Sequence, residues 1–303
     1  MPAEKRPNQV INHNQMITQM RINELIRFIQ ENLEQKLTLE MLANVAGYSP
    51  FHIHRIFRAY VGEPLGSFIQ RLRMGKAVEL LIKTTQPVTD IALQSGYQTP
   101  AAFTKAFRQL FHITPSLVRE TGMSPVIKIN SLIKVPEIRR NIMKAEIREL
   151  PAKKVITVTR KGLVENNFNK AADQAFSVLT RFISANRAWG SIEGNCLGIC
   201  PDDSIDVPAE ESRYIAGYFL KEGGDVWVRG EVEMMEFPAG RVAVFSHLGP
   251  YETLWQTWNK VYHDWLPSSG ETLRDAYPYE VYVKERGKVP EEELITEIFI
   301  PII

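Results

Sequence analysis

Cysteine is scarce in this 303-residue chain: Cys196 and Cys200 are the only two, which excludes a disulfide-stapled scaffold. Long apolar runs are missing as well, none approaching the eighteen or so residues of a membrane-spanning helix, so no membrane partner is expected. The opening MPAEKRPNQVINHNQ lacks the apolar centre of a signal peptide, and a reducing cytoplasm is the expected setting. The Cys-x-x-x-Cys spacing has no second pair of ligands beside it, so no metal site is assigned. Ser-His-Asp spacing and a phosphate loop are absent too, so no catalytic residue and no cofactor is expected and an enzyme is the weaker class. Net charge is nearly absent at +1, yet it is uneven. Residues 1–127 carry 14 Lys and Arg against 9 Asp and Glu, and the remainder carries 22 against 26. A basic half ahead of an acidic half suits phosphate contact by the first.

What is present begins with LTLEMLANVAGYSPFHIHRIF, Leu37 to Phe57. Apolar residues recur at helical spacing on both sides of Ala46-Gly47-Tyr48, so two short helices joined by a tight turn are predicted. Ala43 lets the helices cross closely, Gly47 supplies the turn, Ser49 can cap the second helix and Pro50 suits its first turn. Burying Ile53, Ile56 and Phe57 leaves Phe51, His54, Arg55 and Arg58 towards the other side. A helix-turn-helix meets these features, and so does an ordinary helical hairpin with solvated charges.

The pattern recurs. In VTDIALQSGYQTPAAFTKAFR, residues 88–108, Ala92 matches Ala43 and Gly96-Tyr97 match Gly47-Tyr48. After a one-residue insertion, Phe103, Lys105, Phe107 and Arg108 match Ile53, Arg55, Phe57 and Arg58. Between the copies, residues 66–83 have helical periodicity and would span roughly 27 Å, enough to hold two recognition helices about one DNA turn apart. GYSPFHIHRIFR, the linking helix and IALQSGYQTPAAFTKAFRQLFHITPSLVR together resemble the DNA-binding domain of AraC/XylS-family transcription regulators.

That resemblance implies double-stranded promoter DNA as a partner and assigns base reading to Phe51, His54 and Arg55. Arg suits a guanine edge and Phe51 a thymine methyl. Relatives often have Trp and Gln where this chain has Phe51 and His54, so a different target sequence is implied. On the second helix Thr104 and Lys105 are candidates, but Pro100-Ala101 replaces hydrogen-bonding side chains, so this unit is expected mainly to position on phosphates. Arg58, Arg73, Lys76 and Arg108 are the phosphate candidates.

In chain order, residues 1–17 read as a disordered polar tail, with a first helix from Ile22 to Leu33. The all-α double helix-turn-helix domain covers 18–120. Gly122, Pro125 and Pro136 place a linker at 121–143, and 144–303 is a second, α+β domain. There EIRELPAKKVITVTRKG aligns with EMMEFPAGRVAVFSHLG at a constant offset, so two pseudo-symmetric βαβ-type repeats are expected. Each copy reads as two strands and a helix, 167–186 in the first and 251–265 in the second, with strands returning at 213–220, 279–284 and 295–302.

The segments HLGPYETLWQTWNKVYHDWLPSSG, YPYEVYVK and ELITEIFIPI resemble a GyrI-like effector domain. Strand alternation sets Glu280 and Tyr282 on one face, with Tyr279, Val281 and Val283 on the other. An acid among aromatic rings suits a lipophilic cation. The resemblance implies that Glu280 contacts a small-molecule effector, with Tyr251, Trp255 and Tyr282 as walls. The alternatives are a second domain that docks on RNA polymerase or another protein, and, more remotely, a small-molecule hydrolase.

Overall fold

The computed structural model describes residues 13–125, 143–162, 168–202 and 210–303. Seven helices form the first half: α1 (His13–Glu31), α2 (Leu39–Ala46), α3 (Pro50–Val61), α4 (Leu65–Lys83), α5 (Val88–Gln94), α6 (Pro100–Phe111) and α7 (Pro115–Thr121). Helix α1 begins inside the expected polar tail and ends before Leu33, because burial of Ile22, Leu25, Ile26 and Ile29 supports the turns on either side. Of the expected tail, residues 1–12 lie outside the described residues, as do 126–142 of the expected linker.

Local chemistry fixes both helix-turn-helix units. Thr38 caps α2 through Oγ1, and Gly47 closes it at φ 65°, with the Tyr48 N–H donating to the Ala43 carbonyl at 3.0 Å. Thr99 and Thr114 cap α6 and α7 in the same way. Ser49 does not: its Oγ is buried without a hydrogen-bond partner, and Pro50 alone shapes the start of α3. The long helix α4 belongs to two cores. Its N-terminal Leu65, Phe68 and Ile69 pack with α1–α3, whereas Met74, Ala77, Val78 and Leu81 pack with α5–α7.

The second half is one eight-stranded sheet: β1 (Glu146–Leu150), β2 (Lys153–Lys161), β3 (Ile192–Ile199), β4 (Arg213–Leu220), β5 (Glu233–Phe237), β6 (Gly240–Leu248), β7 (Tyr279–Lys284) and β8 (Ile295–Pro301). Its order is β1-β6-β8-β7-β3-β4-β2-β5, and every neighbouring pair is antiparallel. The order is unchanged when β1–β4 are exchanged with β5–β8. The βαβ units are split, since β4 stands between the parallel β2 and β3, and β8 between β6 and β7. The helical parts of the two halves differ. The first is one continuous helix, α8 (Asn169–Ala185). The second is a 3₁₀ turn at Tyr251–Thr253, α9 (Leu254–Lys260), a π-helical turn at Val261–Trp265 and α10 (Leu266–Ser269).

Strand β3 was not expected. Alternation within IEGNCLGI breaks at Gly194-Asn195, where the register against β4 shifts between Glu193 and Cys196. Helix α8 covers one half of one sheet face. Over the other half, α9 and α10 share a single apolar cluster with α1 and α3. The opposite sheet face carries Phe219, Phe237, Tyr279 and Phe299 in mutual ring contact beside a cavity of about 370 Å³.

Candidate nucleic-acid interface and effector site

Helix α3 buries Ile53, Ile56 and Phe57 in its own domain, as its periodicity requires. Its other face is half-buried, with Phe51, His54, Arg55 and Arg58 each partly exposed. The Phe51 ring lies edge-on to Tyr277, with centroids 4.3 Å apart. His52 is buried between the domains: Nε2 lies 3.0 Å from the Arg274 carbonyl oxygen and Nδ1 lies 2.8 Å from the Tyr262 hydroxyl. The carbonyl can only accept, so Nε2 donates to it and Nδ1 accepts from Tyr262. Arg55 sets its guanidinium over the Trp258 ring at 4.3 Å, donates from Nη2 to the Cys200 carbonyl at 3.4 Å and from Nη1 to His54 Nε2 at 3.2 Å. Tyr60 meets His263 at 5.1 Å, and Arg58 lies 5.8 Å from the Trp255 ring.

Phe51 and Arg55, expected to open to a DNA groove, are half-buried and contact the second domain, while His54, also half-buried, holds Arg55. The reason is tertiary. The helix is amphipathic enough to serve its own core, and its remaining aromatic and cationic groups find aromatic partners on the second domain. Burial lowers the His52 pKa from 6.5 to about 4. Burial, with the neighbouring Arg55 charge, also holds the His54 imidazole well below its usual range. Both rings are neutral at pH 7.

The second unit is different. Thr104, Lys105 and Arg108 sit with Pro100 and Ala101 on an open, shallow surface of α6, while Phe103 and Phe107 fill the core beneath. Of the other phosphate candidates, Arg73 is spent within its own domain. Its Nε donates to the Leu33 carbonyl and its Nη2 to the Gln35 carbonyl, both at 2.9 Å. Lys76 pairs with Glu34 at 2.7 Å. These two contacts brace α4 against the end of α1, and Gly96 at φ +84° leaves room for the Arg73 guanidinium, whose Nη1 a Cβ there would approach to 2.8 Å.

In the second domain Glu280 is 9% exposed. One carboxylate oxygen accepts from the Trp258 indole N–H at 2.8 Å and the other from the Tyr282 hydroxyl at 2.9 Å. The Tyr214 and Tyr282 hydroxyls lie 2.8 Å apart, Tyr251 packs on Tyr282 at 5.3 Å, and Phe176 closes the cluster at 6.2 Å from Tyr282. Burial raises the Glu280 pKa, opposed by the two hydrogen bonds and by the positive charge of Arg55. Glu280, Tyr251 and Tyr282 thus come together as expected. Trp255 does not join them: it is 48% exposed and faces Arg58.

Trp258 stands beside Glu280 instead, because α9 turns residue 258 rather than 255 towards the sheet. Its place one turn beyond Trp255 was the available signal. Tyr214 gave none, since only the pairing of β4 with β3 and of β3 with β7 brings it here. The 370 Å³ cavity is elsewhere, on the Tyr279 and Val281 face, and none of the four expected effector residues lines it.

The GyrI-like small molecule binding domain family matches residues 143–303, and a helix-turn-helix domain family matches residues 42–121. Two tandem helix-turn-helix units of the AraC type followed by a ligand-binding sheet domain define the class. The chain belongs to the GyrI-like family, with an AraC-type helix-turn-helix domain ahead of it. It is similar to the transcriptional regulator Rob of Salmonella typhimurium, 34% identical over 122 residues, which are 38% of this chain and 42% of Rob. It is also similar to the HTH-type transcriptional activator AarP of Providencia stuartii, 37% identical over 108 residues, covering 35% of this chain and 80% of AarP. The F1 operon positive regulatory protein of Yersinia pestis aligns over 288 residues at 24% identity, 95% of this chain and 89% of that one. The matched segment thus spans about two fifths of Rob's length.

Proposed function

We propose that the chain is a sequence-specific, DNA-binding transcription regulator whose second domain binds a small lipophilic cation at Glu280. The supporting observation is the carboxylate itself: buried, walled by Trp258, Tyr251 and Tyr282, and next to a ring face that already carries a guanidinium. A desolvated acid beside a π-face suited to a cation favours a cationic compound over a neutral or acidic one. Phe51, His54, Arg55, Thr104 and Lys105 are the base-reading groups in this proposal, and Arg58 and Arg108 the phosphate contacts.

The test is a tryptophan-fluorescence titration of wild type and Glu280→Gln with lipophilic cations, neutral compounds and organic acids, the bound compound being recovered and weighed. Saturable quenching by cations, lost in the variant with the compound intact, is the expected result. Equal binding by the variant would move the ligand away from Glu280, for instance to the cavity on the other sheet face, and a cleaved product would make the domain a hydrolase.

A further inference from the structure

We propose that the aromatic surface beside Glu280 is a docking surface for the chain's own recognition helix α3, with Arg55 as its resident cation, so that the effector and DNA act on one closed-to-open equilibrium. The inference rests on the assignment of Glu280 as the effector site. Five contacts between α3 and the second domain support it. Arg55 stacks on Trp258, the residue whose indole N–H also holds Glu280. The Arg55 fork is further engaged by the Cys200 carbonyl and by His54, so its donors have partners within the interface. His52 and Phe51 are held by Tyr262, the Arg274 carbonyl and Tyr277, none of which touches Glu280, although the Tyr262 ring stacks on Trp258 at 6.1 Å.

The consequences are geometric first. A helix enters a major groove by the face that presents its base-reading side chains. While Phe51 and Arg55 pack on the second domain, that face of α3 is partly covered and its two ring-and-cation groups are engaged, whereas the matching face of α6 is open. A cation that neutralises Glu280 and stacks on Trp258 needs the place of the Arg55 guanidinium. Both ligands therefore bind the open form, and each raises the other's affinity by the same factor. That factor has a ceiling, because no ligand shifts the equilibrium by more than its differential affinity for the two forms.

Tyr262→Phe and Tyr277→Ala separate docking from binding. Both side chains belong to the second domain, touch α3 and do not touch Glu280, and Tyr262→Phe keeps the ring that stacks on Trp258. Removing the Tyr262 hydroxyl leaves His52 Nδ1 buried without a donor in the closed form only, a penalty that corresponds to roughly 5- to 100-fold towards the open form. Tyr277→Ala removes the partner of Phe51 and acts in the same direction.

The experiment uses the full chain, a duplex selected by it from a randomised pool, and phenylguanidinium, which carries the Arg55 head group on an apolar ring. Melting curves confirm that the variants fold. The expected result is that phenylguanidinium tightens duplex binding by wild type, and that both variants bind phenylguanidinium and the duplex several-fold more tightly on their own, with a smaller mutual effect. Phenylguanidinium binding that is lost in Glu280→Gln yet is unchanged by both tyrosine variants, with no effect on duplex affinity, would overturn the docking and leave the effector site standing. Tighter duplex binding by both variants with no phenylguanidinium binding to any form would support the docking and overturn the cation assignment.

Discussion

Acidification should separate α3 from the second domain, and His52 sets the size of the effect. In the docked form the imidazole lies between Tyr262 and the Arg274 carbonyl, 1% exposed, with its pKa lowered to about 4 from an ordinary 6.5. Once α3 is free, the ring returns to water and to about 6.5. Above pH 6.5 both forms hold it neutral and docking carries no penalty. As pH falls from 6.5 towards 4 the free form takes up a proton that the docked form refuses, so docking weakens by about 1.4 kcal/mol per pH unit. Across that window the loss is about 3 kcal/mol, or roughly a hundred-fold in the equilibrium. His54, lowered in the same direction by burial and by Arg55, adds to it. The assay is NMR of ring-labelled histidine between pH 7.5 and 4.5, with accessibility of α3 followed by hydrogen exchange. His52→Gln should flatten most of the dependence. A His52 resonance that titrates near 6.5 while α3 stays protected would refute the reasoning, because it would mean that the docked pocket accepts the charged ring.

Two further outcomes are expected. Arg108→Ala, on the open face of α6, should weaken binding to all duplexes alike and lower the salt slope by about 1, whereas Arg55→Ala should relax preference at one base pair; filter binding across salt and sequence separates them. Gly198→Ala would drive a methyl into the hydroxyls of Tyr214 and Tyr282 beneath Glu280 and should destabilise the second domain by roughly 1–3 kcal/mol, read as a lower melting temperature.

Much of this molecule is written locally. Gly47, Thr38 and the apolar spacing of Leu42, Ala43, Ile53 and Ile56 specify the first helix-turn-helix within twenty residues, and its echo at Ala92, Gly96, Phe103 and Phe107 specifies the second. Alternation along Tyr279–Tyr282 placed Glu280 and Tyr282 on one face, and their hydrogen bond follows from that. Such features are legible because their determinants are neighbours in the chain, where period and turn chemistry act.

What the sequence could not display depends on residues far apart. Strand β3 is irregular by itself and exists because β4 and β7 flank it. Trp258 rather than Trp255 meets Glu280 because the packing of α9 on the sheet and on α3 fixes which side of the helix faces inward. The partners of α3 lie more than a hundred residues downstream, so the sequence marked Phe51 and Arg55 as side chains left over from their own core and said nothing of what would cover them. Only the tertiary structure, by setting Trp258 and Tyr277 against that face, decided that Phe51 and Arg55 would be half-buried against the second domain.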